Sequence, residues 1–351
     1  MLAIGLAKPR ASRSSDRPRV SVLIAARNEA GNIAACLKSI AAQDYPGELL
    51  EVIVIDDNST DQTAKIAASF RQQIAGLRVL AAGNPPAGVA PKKHALGIGI
   101  ASATGDIILT TDADCTPPPG WVGGVVSCFT GDVQAVAGFA PLDGSGIAGA
   151  IGRLDALINA VVSAGTIGIG QPSTVTGRNF AYRKSAWEAA GGFGETAKGA
   201  SGDDDLLLQR ISASGGKVIF CDIPTTFVPS PAQPTIAAWL KMKRRHLSAG
   251  KRYQPSLLAF ATLLYLFQAG LMASLVLCFF GMLNWQWIMA IWAAKIVLDG
   301  TALGIGAKRF KQSRWGLAWF AAEIVSPLLF TIIVPASLFG KIGWKGRNLS
   351  N

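Results

Sequence analysis

Asp112 and Asp114 form an Asp-x-Asp pair directly after an apolar run, Asp106–Thr111, and just before the turn-forming segment Thr116–Gly120. Two carboxylates on a short bend can hold a hard divalent cation, which takes one or two carboxylates plus substrate phosphates. The plain alternative is a solvated turn that caps a helix. Asp56 and Asp57 close a second apolar run, Glu51–Ile55. They either favour the start of the helix capped by Asn58–Asp61 or contact a nucleoside. Lys92, Lys93 and His94 follow Pro91 at a predicted helix start, a position that attracts phosphate. Asp203, Asp204 and Asp205 stand in a row. Crowded carboxylates raise one another's pKa, which suits a proton acceptor, although three acids can also cap a helix.

The elements that must carry these residues are legible from periodicity. Val20–Ala26 is a continuous apolar run, the pattern of a parallel strand buried on both faces. Glu51–Ile55, Arg78–Ala81 and Asp106–Thr111 repeat it, with helical stretches between them. Strand–helix alternation at this spacing predicts an α/β fold with a parallel sheet. Arg27, Glu29, Asp56, Asp57, Asp112 and Asp114 all follow strand ends. Open α/β sheets bind ligands outside the carboxyl ends of their strands, so three strand ends point at one crevice. The fold resumes over Thr174–Lys184, Ser201–Ser214 and Lys217–Cys221. Residues 146–170, rich in Gly, Ala and Ile with only Arg153 and Asp155 charged, read as an apolar helix or flap on the acceptor side.

The chain has 351 residues, half of them apolar, and a formal net charge of +11. Nucleic acid, anionic lipid and phosphorylated substrates could each answer that charge. No basic–aromatic interleaving supports nucleic acid. Basic residues instead flank apolar stretches, as Lys241, Lys243, Arg244 and Arg245 do, which favours a membrane surface. Residues 1–18 read as a flexible basic arm and 19–254 as the α/β domain. Its last helix, about 235–250, suits the interface plane. Residues 255–351 read as a membrane region with spans at about 257–281, 285–306 and 315–340. The basic linker Lys308–Arg314 should be cytosolic. The third stretch is broken by Pro327 and Pro335 and holds Glu323. One crossing would put the basic tail Lys341, Lys345 and Arg347 outside, whereas a re-entrant path would return it. Lys295 and Asp299, four apart, can pair on one helix face, turned towards Glu323. The five scattered cysteines fit buried reduced thiols.

Taken in order, Val20–Asn28 with Glu29, Val54–Asp61, Lys92-x-x-Ala95-Leu96 and Thr111–Asp114 resemble the family-2 glycosyltransferases over roughly residues 19–254. The resemblance implies a GT-A (Rossmann-like) mixed sheet, a nucleoside-diphosphate sugar donor, a Mg²⁺ or Mn²⁺ ion and inversion at the anomeric carbon. It implies that Ala25, Glu29 and Asp56 or Asp57 hold the nucleoside, with Arg27 in the same donor-binding set. Lys92 would lie near the base and diphosphate, Asp112 near ribose and metal, and Asp114 on the metal. Gly177–Arg183, with Gly177 and Asn179, resembles the segment beneath the transferred sugar. Ser201–Leu206 resembles the family's acid cluster and puts Asp203 at the catalytic base. Gly202 replaces the usual Glu, which leaves Asp204 as the other choice. Met242–His246 stands where processive synthases carry Gln-x-x-Arg-Trp, and only Arg245 matches. That departure argues against chain-threading synthesis and leaves Arg245 a diphosphate ligand or an interfacial charge. The expected activity is sugar transfer to a hydroxyl of a lipid or other membrane-embedded acceptor, with the catalytic domain on the cytosolic side of a cytoplasmic membrane. The alternatives are transfer to polyprenyl phosphate, processive synthesis and non-catalytic donor binding.

Overall fold

The computed structural model describes residues 1–8, 12–199, 201–313, 316–339, 342–344 and 347–349. A short helix, α1 (Leu2–Leu6), precedes the α/β domain. That domain opens with β1 (Val20–Ala26), α2 (Ile33–Ala41), β2 (Leu50–Asp56), α3 (Thr63–Ala68), β3 (Leu77–Ala81), α4 (Pro91–Ser102) and β4 (Ile107–Asp112). It continues through α5 (Trp121–Val126), β5 (Val133–Gly138), β6 (Leu142–Asp143), α6 (Gly146–Gly168), β7 (Phe180–Arg183) and α7 (Lys184–Ala189). It closes with α8 (Asp205–Ala213), β8 (Lys217–Cys221), β9 (Ser230–Pro231) and α9 (Ile236–Leu247).

Seven strands form one sheet in the order β3-β2-β1-β4-β7-β5-β8, while β6 and β9 make a minor pair. The first four are mutually parallel and β7 runs antiparallel to both neighbours, so the sheet is mixed. Val20, Val22, Leu23 and Ile24 are fully buried on β1, as an apolar run covered on both faces requires. Register aligns the strand ends: Ala26 stands beside Asp56, and Ala25 beside Asp112. The acids read from three separate segments are thereby brought to one edge.

Three long apolar helices follow: α10 (Pro255–Phe279), α11 (Trp285–Arg309) and α12 (Gly316–Phe339). Their outer faces expose large apolar side chains such as Phe260, Leu263, Trp287 and Val297. Lys295 donates to Asp299 at 3.0 Å and to Glu323, which also accepts from Trp319 Nε1 at 3.0 Å. The charges in the apolar region thus satisfy one another inside the helix packing, as their cost in lipid demands. At its end α11 meets the α/β domain: Arg309 Nε donates to Asp222 Oδ2 at 2.9 Å and Nη1 to Leu6 O at 2.8 Å. Phe310 is fully buried against Phe139, Phe220 and Phe227. The helix α12 runs on through Pro327 and Pro335, and Ala336 O accepts from Arg244 Nε of α9 at 2.9 Å.

At the start of the amino-terminal arm, α1 lies against α6. Gly5 abuts Gly165 and Gly168 so closely that a Cβ at Gly5 would sit 1.9 Å from Gly165 O. Three glycines allow backbone-to-backbone contact that no hydropathy pattern announces. Of the two readings of 146–170, helix or flap, the structure has the helix: α6 spans Gly146–Gly168 with its inner face buried. Lys341 and Lys345 lie outside the described residues, as do the ends of the stretch 315–340.

Candidate active site

The loops that follow β1 and β2 are sewn together. Asn28 and Asn58 both adopt positive φ (51° and 53°), a backbone that asparagine tolerates better than most side chains. Arg27 Nη1 donates to Asp57 O at 2.6 Å and Asn58 O at 2.9 Å. Asn28 Oδ1 accepts from Thr60 N at 2.8 Å, and Glu29 N donates to Thr63 Oγ1 at 2.8 Å. Asp57 is buried. Asp56 Oδ2 accepts weakly from Ser59 N at 3.3 Å, and its buried Oδ1 meets no donor among the described residues. An acceptor left open at a strand end suits an incoming N–H or hydroxyl.

Beside these loops a cavity is lined by Ala25, Lys92, Asp112, Gly177, Asp203 and Asp204, with Tyr182, Phe180, Leu96 and Phe193 behind them. Lys92 Nζ bridges its two sides, at 3.0 Å from Asp112 Oδ1 and 3.1 Å from Asp203 Oδ2. Burial lowers the Lys92 pKa, but Asp112, Asp203 and Asp204 outweigh it and keep the ammonium charged. Burial likewise raises the Asp203 carboxyl, yet Lys92 and Lys93 overcome it and hold Asp203 down at about 2. Asp204 goes the other way, to about 8, through burial and then the charges of Asp203 and Asp205. Its oxygens are already engaged: Oδ1 caps α8 at Asp205 N (2.8 Å) and Oδ2 accepts from Gly177 N (2.7 Å). Asp205 is tied to Thr174, Val175 and Tyr253. Asp203 and Asp204 both line the cavity, but of the three acids Asp203 is the one paired with Lys92. Asp114 is pushed up to about 6, chiefly by burial and then by Asp112 and Glu29.

Ala25, Lys92, Asp112, Gly177, Asp203 and Asp204 are therefore brought to one cavity, with Asp56 and Asp114 on its flanks. Asn179 is placed differently. It is buried, its Nδ2 donating to Phe139 O and Thr226 O at 2.8 Å each and its Oδ1 accepting from Trp121 Nε1 at 2.9 Å. With its amide spent inside the wall, it holds the site instead of lining it. Arg245 lies on α9, its Nη2 3.0 Å from His246 Nε2. Sequence reasoning passed over Arg178 and Tyr182 as individual site residues. Arg178 fixes Ser230 Oγ at 2.5 Å and lies close enough to Asp114 to oppose its rise. Tyr182 presents its phenol near Asp203. Neither has a sequence signal beyond its place in the Gly177–Arg183 segment.

Comparison with known proteins agrees with this arrangement. Residues 107–334 match the profile described as glycosyl transferase family group 2, and residues 21–186 that of glycosyl transferase family 2. The chain belongs to the family-2 glycosyltransferases. The probable glycosyltransferase YdaM of Bacillus subtilis is 30% identical over 239 residues, 65% of this chain and 54% of YdaM. A beta-monoglucosyldiacylglycerol synthase of Synechocystis is 38% identical over 112 residues, 32% of this chain and 23% of that protein. The chain thus spans about half or less of these relatives. The mannosyltransferase PcManGT from Pyrobaculum calidifontis, solved with GDP-Man and Mn²⁺, superposes with a TM-score of 0.57 at 22% identity over 93% of both chains. That likeness establishes the GT-A fold.

Proposed function

We propose that this glycosyltransferase transfers a sugar, with inversion, from a nucleoside-diphosphate sugar to a hydroxyl of a membrane lipid. The observation that carries this reading is the bridge Asp112–Lys92–Asp203; it supports a cation for the diphosphate and a base for the acceptor sharing one cavity. Asp56, with its open Oδ1, and Glu29 receive the nucleoside. Lys92 turns its charge to the diphosphate, with Arg245 assisting from α9. Asp203, ionised, accepts the proton as the acceptor oxygen bonds to C1 and the bond from C1 to the diphosphate oxygen breaks on the opposite face. The nucleoside diphosphate leaves with that electron pair.

Asp112 and Asp114 fit a Mg²⁺ or Mn²⁺ ion. Asp114 is pushed up by burial and by the neighbouring acids, a strain that a cation relieves. Among the described residues no ready-made set of three ligands exists, so diphosphate oxygens would complete the shell. A divalent cation there would supply charge neutralisation to the leaving group. The Mn²⁺ bound by the mannosyltransferase supports this reading.

Three features support a lipid acceptor. The outer faces of α10 and α11 are apolar and exposed. Each has 25 residues, about 37 Å at the helical rise, enough to cross a bilayer. The basic helix α9 packs against α6, through Lys243 and Asp155 at 2.5 Å, and against α12 of the apolar region. The name of the Synechocystis relative, a glucosyldiacylglycerol synthase, points the same way. The catalytic domain faces the cytosol, where nucleotide sugars are made and where the basic linker 308–314 belongs.

The deciding variant is Asp203→Asn. It should lower transfer by roughly 10²–10⁴-fold while nucleotide binding persists. A mild effect would instead point to a phosphate oxygen as acceptor, since that oxygen needs no base. Product analysis with a panel of labelled nucleotide sugars and membrane lipids identifies donor and acceptor.

A further inference from the structure

Lys93 stands next to Lys92 but faces a different way. Successive helical residues point about 100° apart, so one lysine of the α4 start enters the cavity and the other enters the protein. Lys93 is only 2% exposed. Its Nζ donates to Ser201 O at 2.9 Å and to Thr196 O. Three residues earlier, Ala90 N donates to Ala197 O at 2.8 Å. The first turn of α4 and the residue before it thus grip the segment that leads into Asp203 at three carbonyls. Among the described residues no carboxylate is in ion-pair contact with Lys93.

Burying an ammonium without a counterion is costly, so the carbonyls it satisfies must matter to the fold of that segment. Among its described residues the segment has little regular secondary structure. It contains the short 3-10 turn Gly194–Lys198, then Gly199 and Gly202, the latter at φ 85°. Gly199 is pressed against Arg252, whose Nη1 would lie 2.7 Å from an added Cβ. Gly202 stands where the family usually has Glu, and a side chain there would strain the backbone and meet Leu206. The direction in which Asp203 leaves this segment is therefore set from outside.

We propose that Lys93 is a positioning residue for the transfer reaction, clamping the Thr196–Ser201 carbonyls so that the Asp203 carboxylate stands against Lys92. The proposal rests on Asp203 being the base. The groups facing Lys93 are Asp203 and Asp204 at the α8 start, Arg252 after α9, and Lys92 on its own helix. Burial lowers the Lys93 pKa to about 8, against the pull of Asp203 and Asp204 and with Arg252 adding to the fall. A neutral amine still has two N–H donors, so the clamp survives above that pH. What the charge adds is a second cation that keeps Asp203 ionised.

The experiment compares full-length wild type with Lys93→Met and Lys93→Arg in lipid nanodiscs. Lys93→Met should lower kcat roughly ten- to a hundredfold, as small misplacements of catalytic groups do, and leave the donor KM within about threefold. Its acid limb of kcat should move to higher pH, because Asp203 loses one of two cations and is active only when ionised. Lys93→Arg keeps the charge and should keep the wild-type acid limb. Hydrogen exchange provides the arm that needs no turnover. The Thr196 and Gly199 amides, which donate to Phe193 O and Thr196 O, should exchange more slowly in the wild type than in Lys93→Met, which releases the segment. An unchanged kcat profile in Lys93→Met would overturn the proposal, as would Thr196 and Gly199 amides that exchange alike in the two proteins. If no donor turns over at all, the transfer reading fails, while the exchange result still decides whether the clamp exists.

Discussion

At the residue scale, chemistry separates from architecture by asking which polar atoms are already spent. Asp203 keeps an oxygen for Lys92 and the cavity, whereas Asp204 and Asp205 give theirs to backbone N–H groups and neighbouring hydroxyls. Three adjacent acids of one type therefore divide into one candidate base, one helix cap and one loop anchor. Asn179 makes the same point in reverse. Its conversion to alanine would orphan the buried Trp121 Nε1 and two carbonyls. Leaving buried groups unsatisfied costs about 1–3 kcal/mol each, so Asn179→Ala should lower the Tm by several degrees. Donor KM, measured well below that Tm, should change far less than transfer does in Asp203→Asn. A large, selective loss of donor affinity without a Tm change would return Asn179 to the donor site.

At the element scale, α4 and α11 carry more than their sequence patterns suggest. The first joins the diphosphate lysine to the segment that sets the base. The second ends in Arg309, whose guanidinium meets Asp222 and the carbonyl of Leu6, so one side chain ties α11, the β8 end and α1 together. Both partners are largely buried, with side-chain exposures of 14% and 6%. Losing the buried pair together with the Leu6 contact costs about 1–3 kcal/mol for each group left short of a hydrogen bond. Arg309→Ala should therefore destabilise the detergent-solubilised protein by about that much in chemical denaturation. Arg309→Ala combined with Asp222→Leu should recover a good part of it. Failure of the double variant to recover would mean that the contact with Leu6, not the ion pair, carries the energy.

At the scale of the whole molecule, the path of α12 decides where the chain ends. Its start is six residues past Phe310, which is buried in the α/β domain, and its end meets Arg244 of α9. The end of α12 thus adjoins α9, and with it the catalytic side. The proposal that follows is that the chain after α12 lies on the catalytic side. A cysteine placed at Gly343 in a cysteine-free variant should react with an impermeant maleimide from the same face as a cysteine at Glu48, an exposed loop site. Labelling from the opposite face would overturn that placement. With the tail returned, its basic residues sit on the side that the positive-inside tendency favours.

The sequence alone determined the strand–helix alternation, the acids at strand ends, the acid row before α8 and the long apolar stretches. Periodicity and strand-end placement are local properties, and the mixed GT-A sheet follows from them together with the family resemblance. Only the tertiary structure decided which acid pairs with Lys92, because that depends on whether distant N–H groups, such as Gly177 N, claim the others. It also decided that Lys93 is buried, that Asn179 is spent in the wall and that α1 docks through Gly5, Gly165 and Gly168. Burial and hydrogen-bond satisfaction are settled by atoms far apart along the chain, so no window of residues contains them.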